Sequence, residues 1–90
     1  MDKTFIQETL GQLLTFLSLP FDKIEARDEE GGILRVEIIS AQPSRIIGWH
    51  GETLNSLQHL LKSIMRSQEK MERSPFLVID IDGYRKSQED

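Results

Sequence analysis

The chain has 90 residues, the length of one small domain, and it carries no cysteine and a formal net charge of -4. The lack of cysteine excludes a disulfide framework and thiolate metal sites, and it fits a reducing cytosol, so we expect a cytoplasmic location. No apolar run is long enough to span a membrane, and no signal peptide is visible. The acidic balance argues mildly against nucleic acid, because phosphate binding depends on cationic side chains.

The charge is unevenly distributed along the chain. Residues 1–43 contain four Lys or Arg against eight Asp or Glu, whereas residues 44–90 contain seven of each kind. Between Arg45 and Arg73 the counts are five against three. This middle segment is the least acidic part of the chain, and it permits an anionic partner without requiring one.

The first predicted element is a helix that begins at Asp2 or Thr4. Its apolar residues recur with helical spacing and form one stripe: Phe5, Ile6, Leu10, Leu13, Leu14 and Leu17. Pro20 disfavours helical geometry at the residue before it, so this helix should end near Ser18.

Two strands are predicted next. The first is expected around Phe21–Arg27 and the second over Ile33–Ser40, where apolar and charged residues alternate as they do on a sheet with one buried face. The polar, glycine-containing segment Asp28–Gly32 lies between them. The two strands should therefore form an antiparallel hairpin.

The second half of the chain predicts two helices and a third strand. Pro43–Ile47 is expected to form a short helix that Gly48 ends, and a long helix should run from Glu52 to about Glu69. Ser74-Pro75 interrupts the pattern, and Phe76–Ile81 is the third strand. The long helix has its own apolar stripe: Leu54, Leu57, Leu60, Leu61, Ile64 and Met65.

The element order α-β-β-α-α-β predicts the α+β class, with a three-stranded sheet covered on one face by helices. The third strand follows a helical crossover, so it can run parallel to a neighbouring strand and we expect a mixed sheet. The order of the strands within the sheet does not follow from the sequence.

Two glycines bracket the junction between the short and the long helix. Glycine adopts positive φ and lets a ligand approach the backbone, so Gly48 and Gly51 suit a turn that exposes main-chain amides. The first amides of the long helix lack intrahelical acceptors and carry the positive end of the helix dipole. A phosphate could therefore bind at Gly48–Gly51. The alternative is a tight helix-helix turn with glycine at a C-cap.

Two longer runs carry a resemblance to a known family. Residues 46–60 read IIGWHGETLNSLQHL, and residues 78–85 read VIDIDGYR. These runs resemble the IGxxGxTLxALQxL and DxxGYR patterns of the KH segment in the bacterial Jag/KhpB family of SpoIIIJ-associated RNA-binding proteins. The resemblance implies a type II KH domain whose GxxG loop holds about four nucleotides of single-stranded RNA.

The resemblance also implies a domain organisation. We expect the KH domain to occupy residues 1–83 and a polar tail to occupy residues 84–90. Members of that family usually continue into a second small nucleic-acid-binding domain, and the tail would be the start of a linker to it. The loop departs from the family pattern, because the two residues between the glycines usually include Lys or Arg and are here Trp49 and His50.

The predicted RNA contacts lie on both sides of the loop: Arg45, Ile47, Gly48, Trp49, His50, Gly51, Thr53 and Lys62. Trp49 either stacks on a base or packs against protein. Of the two isoleucines before the loop, one should belong to the core, and we assign Ile47 to the binding groove. Lys62 shares a helix face with four other polar residues that form either a track for the nucleic-acid backbone or an ordinary solvated face: Asn55, His59, Arg66 and Lys70.

Other functions receive less support from the sequence. Asp80 and Asp82 resemble the start of a calcium loop, but the remaining ligands are absent, so no metal or cofactor is expected. No set of nucleophile, base and orienting residue can be assembled, so we do not expect an enzyme. The alternative function is a protein-interaction module on a KH scaffold with weak or lost RNA affinity. Another KH protein is an additional candidate partner, as a dimer.

Overall fold

The computed structural model describes residues 2–70 and 76–85, and it contains three helices and one three-stranded sheet within those residues. Helix α1 spans Lys3–Phe16, helix α2 spans Pro43–Ile47 and helix α3 spans Glu52–Gln68. The strands are β1 (Lys23–Glu29), β2 (Ile33–Ile39) and β3 (Leu77–Ile81). The α+β class and the element order are therefore confirmed. The expected break at Ser74-Pro75 lies outside the described residues.

The sheet is mixed, as expected, and its strand order is β1-β2-β3. Strand β1 pairs antiparallel with β2, and β3 pairs parallel with β2 on the other side. Val36 at the centre of β2 lies opposite Ala26 of β1 and Ile79 of β3. The middle strand is therefore the second one in the chain.

The core lies between one face of the sheet and the helices. Alternate residues of β2 and β3 point into it, together with residues of all three helices: Ile6, Leu10, Leu14, Leu34, Val36, Ile38, Ile46, Leu54, Leu57, Leu61, Met65, Leu77, Ile79 and Ile81. The apolar stripe of α3 is narrower than predicted, because Leu60 is 45% exposed and Ile64 is only half-buried. Leu60 lies farther from the centre of the buried face than Leu57 and Leu61 do.

The elements of the first half end differently from the prediction. Helix α1 ends at Phe16, two residues before Ser18, which adopts a left-handed conformation with φ 58°. Strand β1 starts two residues later than expected and continues through Glu29. Asp28 and Glu29 join the strand because the reversal needs only residues 30–32, where Gly31 has φ 81° and Gly32 has φ 75°.

Local residues determine where α1 and α2 begin. Asp2 is the N-cap of α1, and its Oδ1 accepts a hydrogen bond from the Phe5 N–H at 3.2 Å. Pro43 occupies the first turn of α2, where its missing N–H costs nothing. Among residues 2–70 and 76–85, no helix is both long enough and apolar enough to span a bilayer.

The face of the sheet opposite the helices carries a buried ion pair. Arg35 Nη1 donates to Asp80 Oδ2 at 3.3 Å, and Arg35 Nε donates to Glu29 Oε1 at 2.9 Å. Asp80 is 1% exposed, and its Oδ1 also accepts the backbone N–H groups of Ile81 and Arg85. The described residues contain no group of three side chains able to hold a metal ion. Through its hydrogen bonds Asp80 joins β2, β3 and the turn after β3.

Candidate functional site

The chain turns sharply between α2 and α3. Gly48 follows α2 with φ 74° and ψ -176°, and a single helical turn over Trp49–Gly51 leads into α3. His50 and Gly51 both have left-handed backbone conformations, with φ 53° and φ 79°. Three residues with positive φ within four positions place the N-terminus of the 17-residue helix α3 at an exposed corner of the molecule. We call residues 48–51 the corner.

Gly48 is required by the close approach of α3. A Cβ at this position would overlap Thr53 Oγ1, and it would lie 2.8 Å from Thr53 Cβ and 3.0 Å from Thr53 N. The backbone nitrogen cannot move without distorting the first turn of α3. The first glycine of the pair therefore has a steric role in the fold.

Gly51 brings the two recognised sequence runs together. A Cβ there would lie 3.1 Å from the hydroxyl oxygen of Tyr84 and 3.2 Å from its Cε2. Tyr84 packs against the core, and Arg85 is bonded to Asp80. Tyr84 and Arg85, which directly follow the expected boundary at residue 83, therefore take part in the packing of the domain.

The amides of the corner divide into two groups. The Gly48 N–H donates to the Ser44 carbonyl at 3.0 Å, and the Gly51 N–H donates to the Gly48 carbonyl at 3.3 Å. The amides of Trp49 and His50 have no acceptor among the residues that the structure describes. Two of the four amides in the Gly48–Gly51 segment thus have no acceptor among the described residues, and the other two are hydrogen-bonded within the chain.

The side chains of Trp49 and His50 lie on the outside of the corner. The indole is 74% exposed, and its ring centroid lies 4.2 Å from that of the imidazole, with an interplanar angle of 86°. The indole does not fold back over the corner. Its exposed face is a surface on which another flat ring can stack.

Arg45 points away from the corner, towards the end of α1. Its Nη2 donates to the Ser18 carbonyl at 3.2 Å, and its Nη1 donates to Gln42 Oε1 at 3.3 Å. The side chain lines a groove of about 490 Å³ together with Thr15, Ser18, Leu19, Pro20, Phe21 and Gln42. The structure therefore gives Arg45 a local role in joining α2 to α1, although the side chain remains exposed.

The remaining predicted contacts are only partly brought together. Ile46 is fully buried, whereas Ile47 is half-buried at the border of the core. Thr53 lies against Gly48. Lys62 follows Thr53 by nine residues, which corresponds to half a helical revolution beyond two full turns and to about 13 Å along the helix axis. Lys62 is therefore on the opposite flank of α3 and does not converge with the corner.

The free edge of β3 is covered by side chains. Gln58 of α3 accepts the Ile79 N–H at 2.9 Å, and Arg85 Nε donates to the Ile79 carbonyl. Burial lowers the pKa of Arg85, and the neighbouring charge of Asp80 opposes this shift. Neither role was predicted from the sequence, because Gln58 lies beside the apolar stripe of α3 and the DGYR run was assigned to a boundary.

Comparison with known proteins does not assign the chain to a family. A scan against protein-family models gives no match, and a search of curated proteins gives none either.

Proposed function

We propose that the chain is a single-stranded RNA-binding module with a type II KH fold, related to the KH segment of the Jag/KhpB family, and that RNA binds at the corner. The observation that carries this proposal is the exposed indole of Trp49 beside the amides of Trp49 and His50, which have no acceptor among the described residues. The α-β-β-α-α-β order, the mixed sheet and the contact between Gly51 and Tyr84 support the assignment of the fold.

In the proposed complex, one phosphate accepts hydrogen bonds from the Trp49 and His50 amides near the positive end of the α3 dipole. An unpaired base stacks on Trp49, a contact worth about 1–3 kcal/mol in single-strand binders. The strand passes the half-buried side chain of Ile47. Bases do not pair with the β3 backbone at Ile79, because Gln58 and Arg85 already occupy it. No catalytic step is part of this function.

The charges around the corner predict weak binding. The corner has no Lys or Arg, and Glu52 stands at the first position of α3, where it opposes a phosphate. For single strands, each phosphate contact made by a cation adds about 0.7 to the steepness with which the logarithm of the binding constant falls against the logarithm of the salt concentration, here called the salt slope. A complex held mainly by neutral amides and stacking should therefore show a slope below that of a lysine-rich binder.

The test is a titration of labelled single-stranded RNA followed by anisotropy. Replacing both Trp49→Asp and His50→Asp removes the stacking surface and places negative charge at the phosphate site. We expect loss of binding by tenfold or more, in line with about 1–3 kcal/mol for the stack alone. The matched control is Ser63→Asp with Ser67→Asp, which adds the same charge to exposed positions late in α3. Equal affinity of the two double variants would remove the corner from the mechanism.

A protein-interaction module is the second candidate, and the exposed Trp49 in an acidic chain favours it. A contact made by the indole with an apolar pocket of a partner would change little with ionic strength, whereas RNA binding weakens as salt rises. Absence of RNA binding at low salt, together with salt-insensitive binding of a protein partner that Trp49→Ala abolishes, would favour this second function.

A further inference from the structure

Strand β1 forms the second free edge of the sheet. Its only neighbour in the described part of the chain is β2. On the β3 side, Gln58 and Arg85 cover the edge. On the β1 side, residues 2–70 and 76–85 supply one such contact, from Gln7 Nε2 to the Ile24 carbonyl at 3.1 Å. A row of main-chain donors and acceptors at a sheet edge is a template for another strand.

The side chains of β1 on the face opposite the helices alternate in charge: Lys23, Glu25, Arg27 and Glu29. This pattern does not match β2. The observed register places Glu25 directly opposite Glu37 and Arg27 directly opposite Arg35, and like charges in directly opposite positions destabilise a sheet. Opposite charges at diagonal positions offset this repulsion; for example, Arg27 Nη2 lies 3.9 Å from Glu37 Oε2.

The alternation does match a second copy of β1. If two β1 strands run antiparallel about Ala26, residues whose numbers add to 52 lie opposite each other. Lys23 then faces Glu29 of the second copy and Glu25 faces Arg27 of the second copy, and each pair occurs twice. A slip by two residues in either direction sets like charges opposite each other, and so does a parallel, in-register arrangement. A slip by one residue moves these side chains to the wrong face.

We propose that β1 is a self-association edge, at which a second copy of this chain adds its β1 antiparallel about Ala26 to make a six-stranded sheet. On pairing, the Ile24 carbonyl loses its hydrogen bond from the Gln7 side chain and accepts one from a backbone N–H of the second copy. An apolar groove of about 460 Å³ between α1 and Phe21, which lies just before β1, adds surface to bury; it is lined by Glu8, Gly11, Gln12, Thr15, Phe16 and Phe21. Phe16 is 87% exposed in the single chain.

The expected dimer is weak and depends on concentration. Two seven-residue strands meeting edge to edge bury far less than the roughly 1,600 Å² of a standard stable interface. Sedimentation equilibrium of the 90-residue chain over a wide concentration range, in about 0.1 M salt where the Debye length is near 10 Å, should show a reversible monomer-dimer equilibrium. A strictly monomeric chain at all concentrations would overturn the proposal.

The first variant is Glu25→Lys. In the single chain it sets a lysine opposite Glu37 but breaks the exposed ion pair of Glu25 with Lys23 at 3.3 Å, so the two effects offset and the folded monomer should be about as stable as the wild type. In the dimer it sets the new lysine against Arg27 of the second copy, twice. We expect the dimer dissociation constant to rise tenfold or more, while the midpoint of thermal unfolding stays unchanged. Unchanged dimerisation would place the interface elsewhere and overturn the proposal.

Complementary variants test the pairing itself. Arg27→Glu alone should also abolish the dimer, but an equimolar mixture of Glu25→Lys and Arg27→Glu chains restores every opposite-charge pair and should form a heterodimer. The double variant Glu25→Lys/Arg27→Glu restores them within one chain and serves the same purpose if Arg27→Glu alone unfolds. Failure of both the mixture and the folded double variant to dimerise would refute the register.

A cross-link locates the two-fold axis. The chain has no cysteine, and Ala26 is the one residue of β1 that faces itself in this register. Mild oxidation should convert Ala26→Cys to a covalent dimer, because directly opposite residues lie within disulfide reach. The matched control Asp28→Cys places its thiols about 13 Å apart along the strands and should stay monomeric. Equal cross-linking of both variants, or cross-linking of the control alone, would contradict the arrangement.

Discussion

Replacement of Gly48 by alanine tests whether the corner is set by packing of α3 against the end of α2. The added methyl group would overlap Thr53 Oγ1 and lie 2.8 Å from Thr53 Cβ and 3.0 Å from the backbone N of the same residue. The side-chain oxygen can rotate away, but Cβ and N are fixed by the first turn of α3. The backbone at Gly48, with φ 74° and ψ -176°, also lies in a region that alanine rarely adopts.

The expected cost combines two terms. A non-glycine residue in this backbone region costs roughly 1–3 kcal/mol, and an extra methyl forced into a packed contact costs roughly 1–3 kcal/mol more. The sum, about 4 kcal/mol, is a large part of the roughly 5–9 kcal/mol expected for a domain of this size. Gly31→Ala is the matched control, since Gly31 has φ 81° and no atom within 4 Å of an added Cβ. It should lose only about 1 kcal/mol.

Urea unfolding followed by far-UV circular dichroism measures this difference. With an m-value of about 1 kcal/mol/M, the midpoint of Gly48→Ala should lie about 3 M below that of Gly31→Ala. Adding Thr53→Ala to Gly48→Ala should recover only part of the loss, because the contacts with Cβ and N remain. Coincident midpoints for Gly48→Ala and Gly31→Ala would show that only backbone conformation matters and that α3 can shift freely.

Three further substitutions and one control probe the surroundings of the corner by the same measurement. Gly51→Ala should lose about 1–2 kcal/mol of stability, less than Gly48→Ala. The ring of Tyr84 can move away from the added methyl group, so the loss comes mainly from the left-handed backbone conformation. A larger loss than at Gly48 would contradict this order. Asp80→Asn should lose about 3 kcal/mol, because the buried guanidinium of Arg35 loses the charge of one of its two carboxylate partners and keeps only the half-buried Glu29. Asp82→Asn, at an exposed position with positive φ, should change stability by less than about 0.5 kcal/mol. Gln58→Ala should lose about 1–2 kcal/mol because a part-buried amide of β3 is left without an acceptor; no loss would mean that water replaces the glutamine.

Local sequence patterns were sufficient to predict the bounds of α2 and the start of α3 around the corner. Pro43 and Gly48 delimit α2 at the predicted residues, and α3 starts at Glu52 as predicted. These ends are decided by the φ restriction of proline and by the conformational freedom of glycine, which act within a few residues. For Trp49 the sequence left two alternatives open, an exposed stacking ring or a ring packed against protein, and in the structure the ring is exposed.

Long-range contacts were not predictable in the same way. The covering of β3 by Gln58 and Arg85 depends on which strand lies at the edge, and the strand order could not be derived. Lys62 was grouped with the corner by charge alone, although helical geometry separates it from Thr53. Asp80 was considered as a metal ligand, and its buried partner Arg35 lies 45 positions earlier in the sequence. Such pairs depend on tertiary contacts that no local pattern records.

The two neighbours of β2 are joined to it by very different lengths of chain. The hairpin with β1 closes over the short turn Glu30–Gly32, whereas β3 reaches β2 only after an excursion through residues 40–76. Closing the longer loop costs more chain entropy, and parallel pairing across it must await α2 and α3. Refolding should therefore begin with the hairpin under α1 and finish when β3 docks. The segment that carries the corner should then fold late, and it should be the first to unfold when the protein is destabilised.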